Sequence, residues 1–112
     1  MNYMDESLAL HERLKGKLSY LPKIPLRNKT DLSLLYTPGV ASPCRVINKR
    51  PEAVFELTGK GNTVAVISDG SAVLGLGNIG PEAGIPVMEG KCVLFREFGG
   101  VDAVPLCLKT QD

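Results

Sequence analysis

Glycines 75, 77 and 80, inside the stretch VLGLGNIGPEAG (73–84), spell G-x-G-x-x-G. An apolar run, NTVAVIS, precedes them, and an acid, Asp102, follows downstream. In a dinucleotide site this pattern turns a strand tightly into a helix. The glycines let the backbone approach the pyrophosphate, and the helix N-terminus offers its free N–H groups. The pattern alone is weak evidence, and its flanks argue against it here. Asp69, Gly70 and a second short apolar run separate the strand from Gly75, and Pro81, Gly84 and Pro86 follow Gly80. Proline lacks the N–H a helix interior needs. The sequence therefore predicts a helix that begins near Pro86, too late to aim at a ligand held by Gly75 and Gly77. The expectation is a glycine-rich scaffold loop, with no cofactor-binding residue in this chain.

The other reactive side chains give little by spacing alone. Cys44, Cys92 and Cys107 are odd in number and lack C-x-x-C spacing, which fits neither a zinc knuckle nor a disulfide framework. Reduced thiols in the cytoplasm are expected, with Cys44 a small buried hydrophobe beside Pro43. Asp69, in SDGS, is expected to form a turn through its own side chain. His11 is placed on a polar helix face, in solvent. Glu89 and Asp102 read as a helix-surface and a strand-start charge, without a catalytic role. No metal ligand set is recognised.

These residues need elements to hold them. A first helix is expected with Asp5 as cap, Leu8, Leu10 and Leu14 on one side, and Gly16 weakening it. YLPKIPLRN reads as an extended connection because of Pro22 and Pro25. Thr30 or Asp31 is expected to cap a short turn through LSLLY, which TPGV breaks. Ser42 and Pro43 suggest an N-cap and first helical position, opening two short helices that meet near Pro51. Lys60-Gly61-Asn62 is a turn. TVAVIS, residues 63–68, reads as a buried strand. The helix over 86–98 is expected to turn Val87, Cys92, Val93, Leu94 and Phe95 mostly inward, and Gly99-Gly100 stops it. VDAVPLCL is a second strand, which Pro105 places at an edge. The fold class is α/β, with α+β as the alternative: a helical N-terminal third, then a small, mainly parallel sheet flanked by helices.

The chain has 112 residues, enough for one domain and too few for a complete two-domain dehydrogenase. It is 44% hydrophobic and 22% charged, with a formal charge of +1. That balance gives no electrostatic case for nucleic acid or an anionic membrane. The N-terminus carries acids and no apolar run, so no signal peptide is expected, and no stretch reaches a membrane span.

Taken together, SLLYTPGVASPCRVI, VAVISDGSAVLGLGNIGPEAGIPVMEGKCVLF and VDAVPLCL resemble the malic enzyme family. The likeness is to the N-terminal, substrate-side domain of the shorter, bacterial-type enzymes and runs from about Leu8 to Leu108. It implies oxidative decarboxylation of L-malate to pyruvate and carbon dioxide, with NAD or NADP as hydride acceptor and Mg or Mn holding the substrate. It implies that the tyrosine of Y-T-P-G, Tyr36, is a general acid and the lysine of P-V-M-E-G-K, Lys91, a general base. The family's metal ligands and its dinucleotide loop lie in later blocks that this chain does not include. Residues 1–112 are thus expected to be an N-terminal fragment, inactive alone and binding neither cofactor tightly, from a cytoplasmic homodimer. The alternative is a stand-alone binding or assembly module that keeps the fold without catalysis.

The implied chemistry is demanding. A lysine accepts the C2 hydroxyl proton only when neutral, which requires lowering its pKa from about 10.4 by roughly 3 units. Burial and a neighbouring cation are the available causes. The enolate left by decarboxylation then takes a proton on C3, which a tyrosine hydroxyl can supply if a lysine stabilises the phenolate. A metal would hold the developing enolate charge.

Overall fold

A computed structural model describes residues 2–112. In chain order the elements are α1 (Tyr3–Leu14), α2 (Lys29–Leu35), α3 (Ala41–Lys49), a 3-10 turn (Pro51–Ala53), α4 (Val54–Leu57), a 3-10 turn (Gly59–Asn62), β1 (Thr63–Ser68), α5 (Pro81–Gly99) and β2 (Asp102–Cys107). They cluster into two compact units, residues 20–62 and residues 1–19 with 63–112. The expected α/β arrangement is present: helices lead, and a small parallel sheet follows.

The second of these units is built on β1–α5–β2. The strands pair in parallel, Thr63 opposite Asp102 through Ser68 opposite Cys107, so α5 is the crossover that parallel pairing requires. Among the described residues β2 pairs with β1 alone, which leaves room for Pro105 without breaking the ladder. Val73, Met88, Cys92 and Ala103 are buried hydrophobics of this unit. On α5 the buried residues are Gly84, Met88 and Cys92, spaced four apart on one strip.

Several sequence expectations change here. The helix expected from Pro86 starts at Pro81, with Gly80 as N-cap at φ 85° and Pro86 inside it. Pro81 takes the first helical position, where a missing N–H is harmless. Pro86 removes one helical bond, and packing against the strands outweighs that local cost. Leu94 and Phe95, expected inward, are 56% and 43% exposed, because the buried strip runs through Met88 and Cys92 beside them. β1 is a strand as expected but is not buried: Ile67 is 61% exposed. Its apolar side chains point to both faces, and a two-stranded sheet with one covering helix shelters only one of them.

The cap of α1 is Asn2, not Asp5: the Asn2 carboxamide oxygen accepts from the N–H groups of Met4 (3.0 Å) and Asp5 (3.3 Å). The helix ends with Lys15 in left-handed conformation, followed by Gly16 at φ 91°.

In the unit of residues 20–62, Asn28 caps α2 by accepting from Asp31 N–H at 2.9 Å, so neither Thr30 nor Asp31 is the cap. Asp31 sits in the first turn and accepts instead from Arg27. α3 begins at Ala41 after Val40, with no side-chain cap, so Ser42 is already helical. Pro43 lies in the first turn, where helical N–H groups have no intrahelical partner. The two short helices do meet at Pro51, which opens the intervening 3-10 turn. Ala53 is fully buried there.

Candidate functional site

Tyr36 closes α2. Its N–H donates to the Leu32 carbonyl at 2.8 Å, and its own carbonyl accepts from Val40 N–H at 2.7 Å. Two residues along, the Thr37–Pro38 peptide is cis, and Gly39 N–H donates to the Ser33 carbonyl at 2.8 Å. A Cβ on Gly39 would lie 2.5 Å from that Ser33 oxygen, so the Y-T-P-G turn folds this tightly onto α2 only with glycine there. The backbone on both sides of Tyr36 is therefore fixed, while its side chain is 65% exposed.

Lys91 is held by α5. That helix contains Gly84, Pro86 and Gly90, all poor helix formers, so packing of the Gly84–Met88–Cys92 strip maintains it. Lys91, Leu94, Phe95 and Phe98 follow at i, i+3, i+4 and i+7 and share a neighbouring face. With Gly99 they line an open, largely apolar depression of about 410 Å³. Lys91 is exposed, and Phe98 is 85% exposed. Tyr36 belongs to the unit of residues 20–62 and Lys91 to the other.

The glycine loop occupies residues 69–80. Gly75 and Gly77, at φ 76° and 70°, form a turn closed by a bridge between Val73 and Gly77. Leu74 stands 90% exposed at its tip. The helix follows Gly80 at once, so Pro86 does not delay its start as the sequence predicts. The separation remains: β1 ends at Ser68, and the first two glycines form their own turn rather than the strand-to-helix corner. Gly70 locks the loop. Its carbonyl accepts from Ile79 N–H (3.1 Å) and Gly80 N–H (3.2 Å).

Asp69 forms the expected turn, accepting from Ser71 N–H at 2.9 Å. Hydrogen bonds from the Ser71 side chain and then its backbone hold the Asp69 carboxyl below the ordinary value. Asp102 starts β2 and pairs with Arg96 at 3.0 Å. Among the described residues, no group of three or more His, Cys, Asp or Glu is placed to hold a metal ion.

The sequence missed one polar cluster. His11 is half-buried rather than in free solvent. Its Nδ1 lies 2.7 Å from the Ser7 carbonyl, and its Nε2 lies 2.6 Å from Lys17 Nζ. An Nδ1–H tautomer satisfies both contacts, donating to Ser7 and accepting from the ammonium. Lys17 also faces Glu89: its N–H donates to Oε1 at 3.3 Å, and its Nζ lies 3.9 Å from the same oxygen. This ties the turn after α1 to α5, with Glu89 acting as an anchor. Residues 6 and 72 positions apart leave no periodic signal for such a cluster. Cys44, expected to be buried, is exposed, because α3 has no buried residue. Cys92 is buried: burial first, then the charge of Glu89 and then Cys107, push its thiol up.

The family model for the malic enzyme N-terminal domain matches residues 15–112. The chain belongs to the malic enzyme family. It is 56% identical over 112 residues to the bifunctional malic/malolactic enzyme of Bacillus subtilis, covering all of this chain and 27% of that protein. It is 54% identical over 112 residues to the NAD-dependent malic enzyme of Geobacillus stearothermophilus, covering all of this chain and 23% of that protein. The crystal structure of malic enzyme from Pyrococcus horikoshii superposes with a TM-score of 0.94 at 52% identity, covering 99% of this chain and 26% of that one. The chain thus spans about a quarter of the length of these relatives. Malic enzyme relatives named as NADP-dependent also match. No helix among the described residues is long and apolar enough to cross a membrane.

Proposed function

We propose that this chain is the N-terminal, substrate-side part of a malic enzyme that converts L-malate to pyruvate and carbon dioxide. The observation that carries the reading is the family match over residues 15–112, which includes both the Tyr36 and the Lys91 blocks. The hydride acceptor is NAD or NADP, as in relatives named for each, and the metal is Mg or Mn. Among the described residues, no group of three or more His, Cys, Asp or Glu is placed to hold a metal ion, and Gly75 and Gly77 form their own turn rather than a strand-to-helix corner. Both groups are assigned to polypeptide outside residues 1–112. The complete enzyme is a cytoplasmic homodimer, the commonest closed assembly.

Within this chain, Lys91 is the general base that takes the C2 hydroxyl proton, and Tyr36 is the general acid that returns a proton to C3. Lys91 is exposed, so excluding water from the proton transfer requires its site to be covered when substrate is bound. The apolar depression beside it supports such a cover: Leu94, Phe95 and Phe98 are large hydrophobics open to solvent. The exposed apolar face of the sheet supports the same view, since parallel sheets are ordinarily covered on both sides.

The test measures malate-dependent NAD(P)H formation. Residues 1–112 alone are expected to be inactive with both nucleotides and Mn²⁺. In the complete polypeptide, Lys91→Ala and Tyr36→Phe should each lower kcat by about 10²–10⁴. Tyr36→Phe should spare hydride transfer and slow protonation, so pyruvate lags behind NAD(P)H. Robust turnover by the short chain, or a full enzyme indifferent to both substitutions, refutes the assignment.

A further inference from the structure

α5 is seated along a narrow buried strip, Gly84, Met88 and Cys92. Gly84 has no side chain and Cys92 a small one, so Met88 is the large side chain of the strip. Successive residues stand about 100° apart around a helix. Glu89 therefore lies about 100° to one side of Met88, and Lys91 about 60° to the other. The two flanks differ. Lys91 is exposed, whereas the Glu89 side chain is 17% exposed and tethered. Its Oε1 accepts from Lys17 N–H at 3.3 Å and lies 3.9 Å from Lys17 Nζ, which in turn sits 2.6 Å from His11 Nε2. Gly16 lets the turn after α1 close over the same carboxylate: a Cβ there would lie 3.0 Å from Glu89 Oε2. All of these residues belong to one compact unit, residues 1–19 with 63–112.

A helix seated on one narrow strip is free to roll about it. A roll of about 10° moves a group about 6 Å from the helix axis by about 1 Å. Misplacing a reacting group by about 1 Å costs up to about 10²-fold in rate. The tether at Glu89 opposes that roll on one flank, and Lys91 rides on the other. We infer that Glu89 is a positioning residue: its bond to the Lys17 backbone sets the roll of α5 and so the place of the Lys91 amine. This rests on the assignment of Lys91 as general base and adds the group that aims it. The directional contact is the backbone N–H bond, while the ammonium, at 3.9 Å, lies beyond hydrogen-bond reach. The reach of the Glu89 side chain, and not its charge, therefore carries the role.

Two conservative variants of the complete polypeptide separate reach from charge. Glu89→Asp keeps the charge and draws the carboxylate back by one methylene, away from Lys17 N–H. Glu89→Gln keeps the length and an acceptor oxygen and removes the charge. Malate-dependent NAD(P)H formation is measured with ordinary and C2-deuterated L-malate. Glu89→Asp should lower kcat by about 10–100-fold with KM nearly unchanged, because a displaced base is felt in the transition state. Its isotope effect on kcat should rise, since the proton is taken as hydride leaves C2 and that step becomes slower. Glu89→Gln should keep most of the parent's kcat and its isotope effect. A variant that merely loses folded enzyme lowers the apparent kcat without moving the isotope effect. Adding Glu89→Asp to Lys91→Ala should cost nothing further, because the group being aimed is gone. The inference is overturned if Glu89→Asp runs at the parent's rate, or slows with an unchanged isotope effect. It is equally overturned if Glu89→Gln is as impaired as Glu89→Asp, or if Glu89→Asp slows Lys91→Ala further. A slow Lys91→Ala beside an indifferent Glu89→Asp removes this inference alone, whereas a full-rate Lys91→Ala removes the base assignment and this inference with it.

Discussion

Replacing Gly70 by alanine should cost far more stability than replacing Gly77, although both glycines have nearly the same backbone conformation. Gly70 has φ +73° and Gly77 φ +70°. An L-residue in that left-handed region costs about 1–2 kcal/mol at either site. The surroundings then separate them. A Cβ at Gly77 has nothing within 4 Å. A Cβ at Gly70 would overlap the Gly80 carbonyl and lie 2.8 Å from Pro81 nitrogen, closer than real Cβ contacts come. Both obstacles are backbone, so relief requires moving residue 70 away from residues 79–80. That motion breaks the bonds from Ile79 and Gly80 N–H to the Gly70 carbonyl, each worth about 0.5–1.5 kcal/mol. The sum for Gly70→Ala is about 2–5 kcal/mol, against about 1–2 for Gly77→Ala. Urea unfolding followed by circular dichroism reads the difference. With a slope of about 1–3 kcal/mol/M, the Gly70 midpoint should fall below the Gly77 midpoint by roughly 1 M. Midpoints that coincide would show that the loop is not locked at Gly70 onto the start of α5.

Gly84→Ala should act in the opposite direction. Its Cβ would meet Val73 Cγ2 at 3.5 Å and Gly70 Cα at 3.6 Å, ordinary contacts, so the helix gains about 0.5–1 kcal/mol; a lower urea midpoint would refute this. Ellman's reagent should label exposed Cys44 first, Cys107 more slowly, and Cys92 only on unfolding; burial, the first cause in both, raises the thiols of Cys92 and Cys107. A raised thiol stabilises the fold below its unfolded pKa and stops doing so as pH rises through the folded value. Alkaline conditions should therefore destabilise this chain, and Cys92→Ser should flatten that alkaline arm. Asp69, held low by Ser71, contributes stability above its unfolded pKa that is lost as pH falls through the folded value. Asp69→Asn keeps a turn-forming side chain and should reduce the acid arm of the stability–pH curve while leaving neutral stability nearly unchanged.

Local chemistry by itself determined much of this protein. β-branched composition marked β1, glycines and prolines marked the turns, and Pro51 marked where two helices meet. Long blocks around Tyr36 and Lys91 carried the family, because a contiguous motif needs no third dimension to be read. Tertiary structure decided what depended on packing. Pro86 forbids a helix by local rules, yet α5 runs from Pro81 through it because its Gly84–Met88–Cys92 strip gains more against the sheet than one missing hydrogen bond costs. Burial of β1, Leu94, Phe95 and Cys44 could not be read from hydrophobicity, which says that a residue can be covered and not that a neighbour is there to cover it. The His11–Lys17–Glu89 cluster joins residues far apart in sequence, and only the fold brings them within reach. Sequence fixes which groups can react or pack; the burial and polar partners each one meets follow from contacts between distant segments, which the chain makes only when folded.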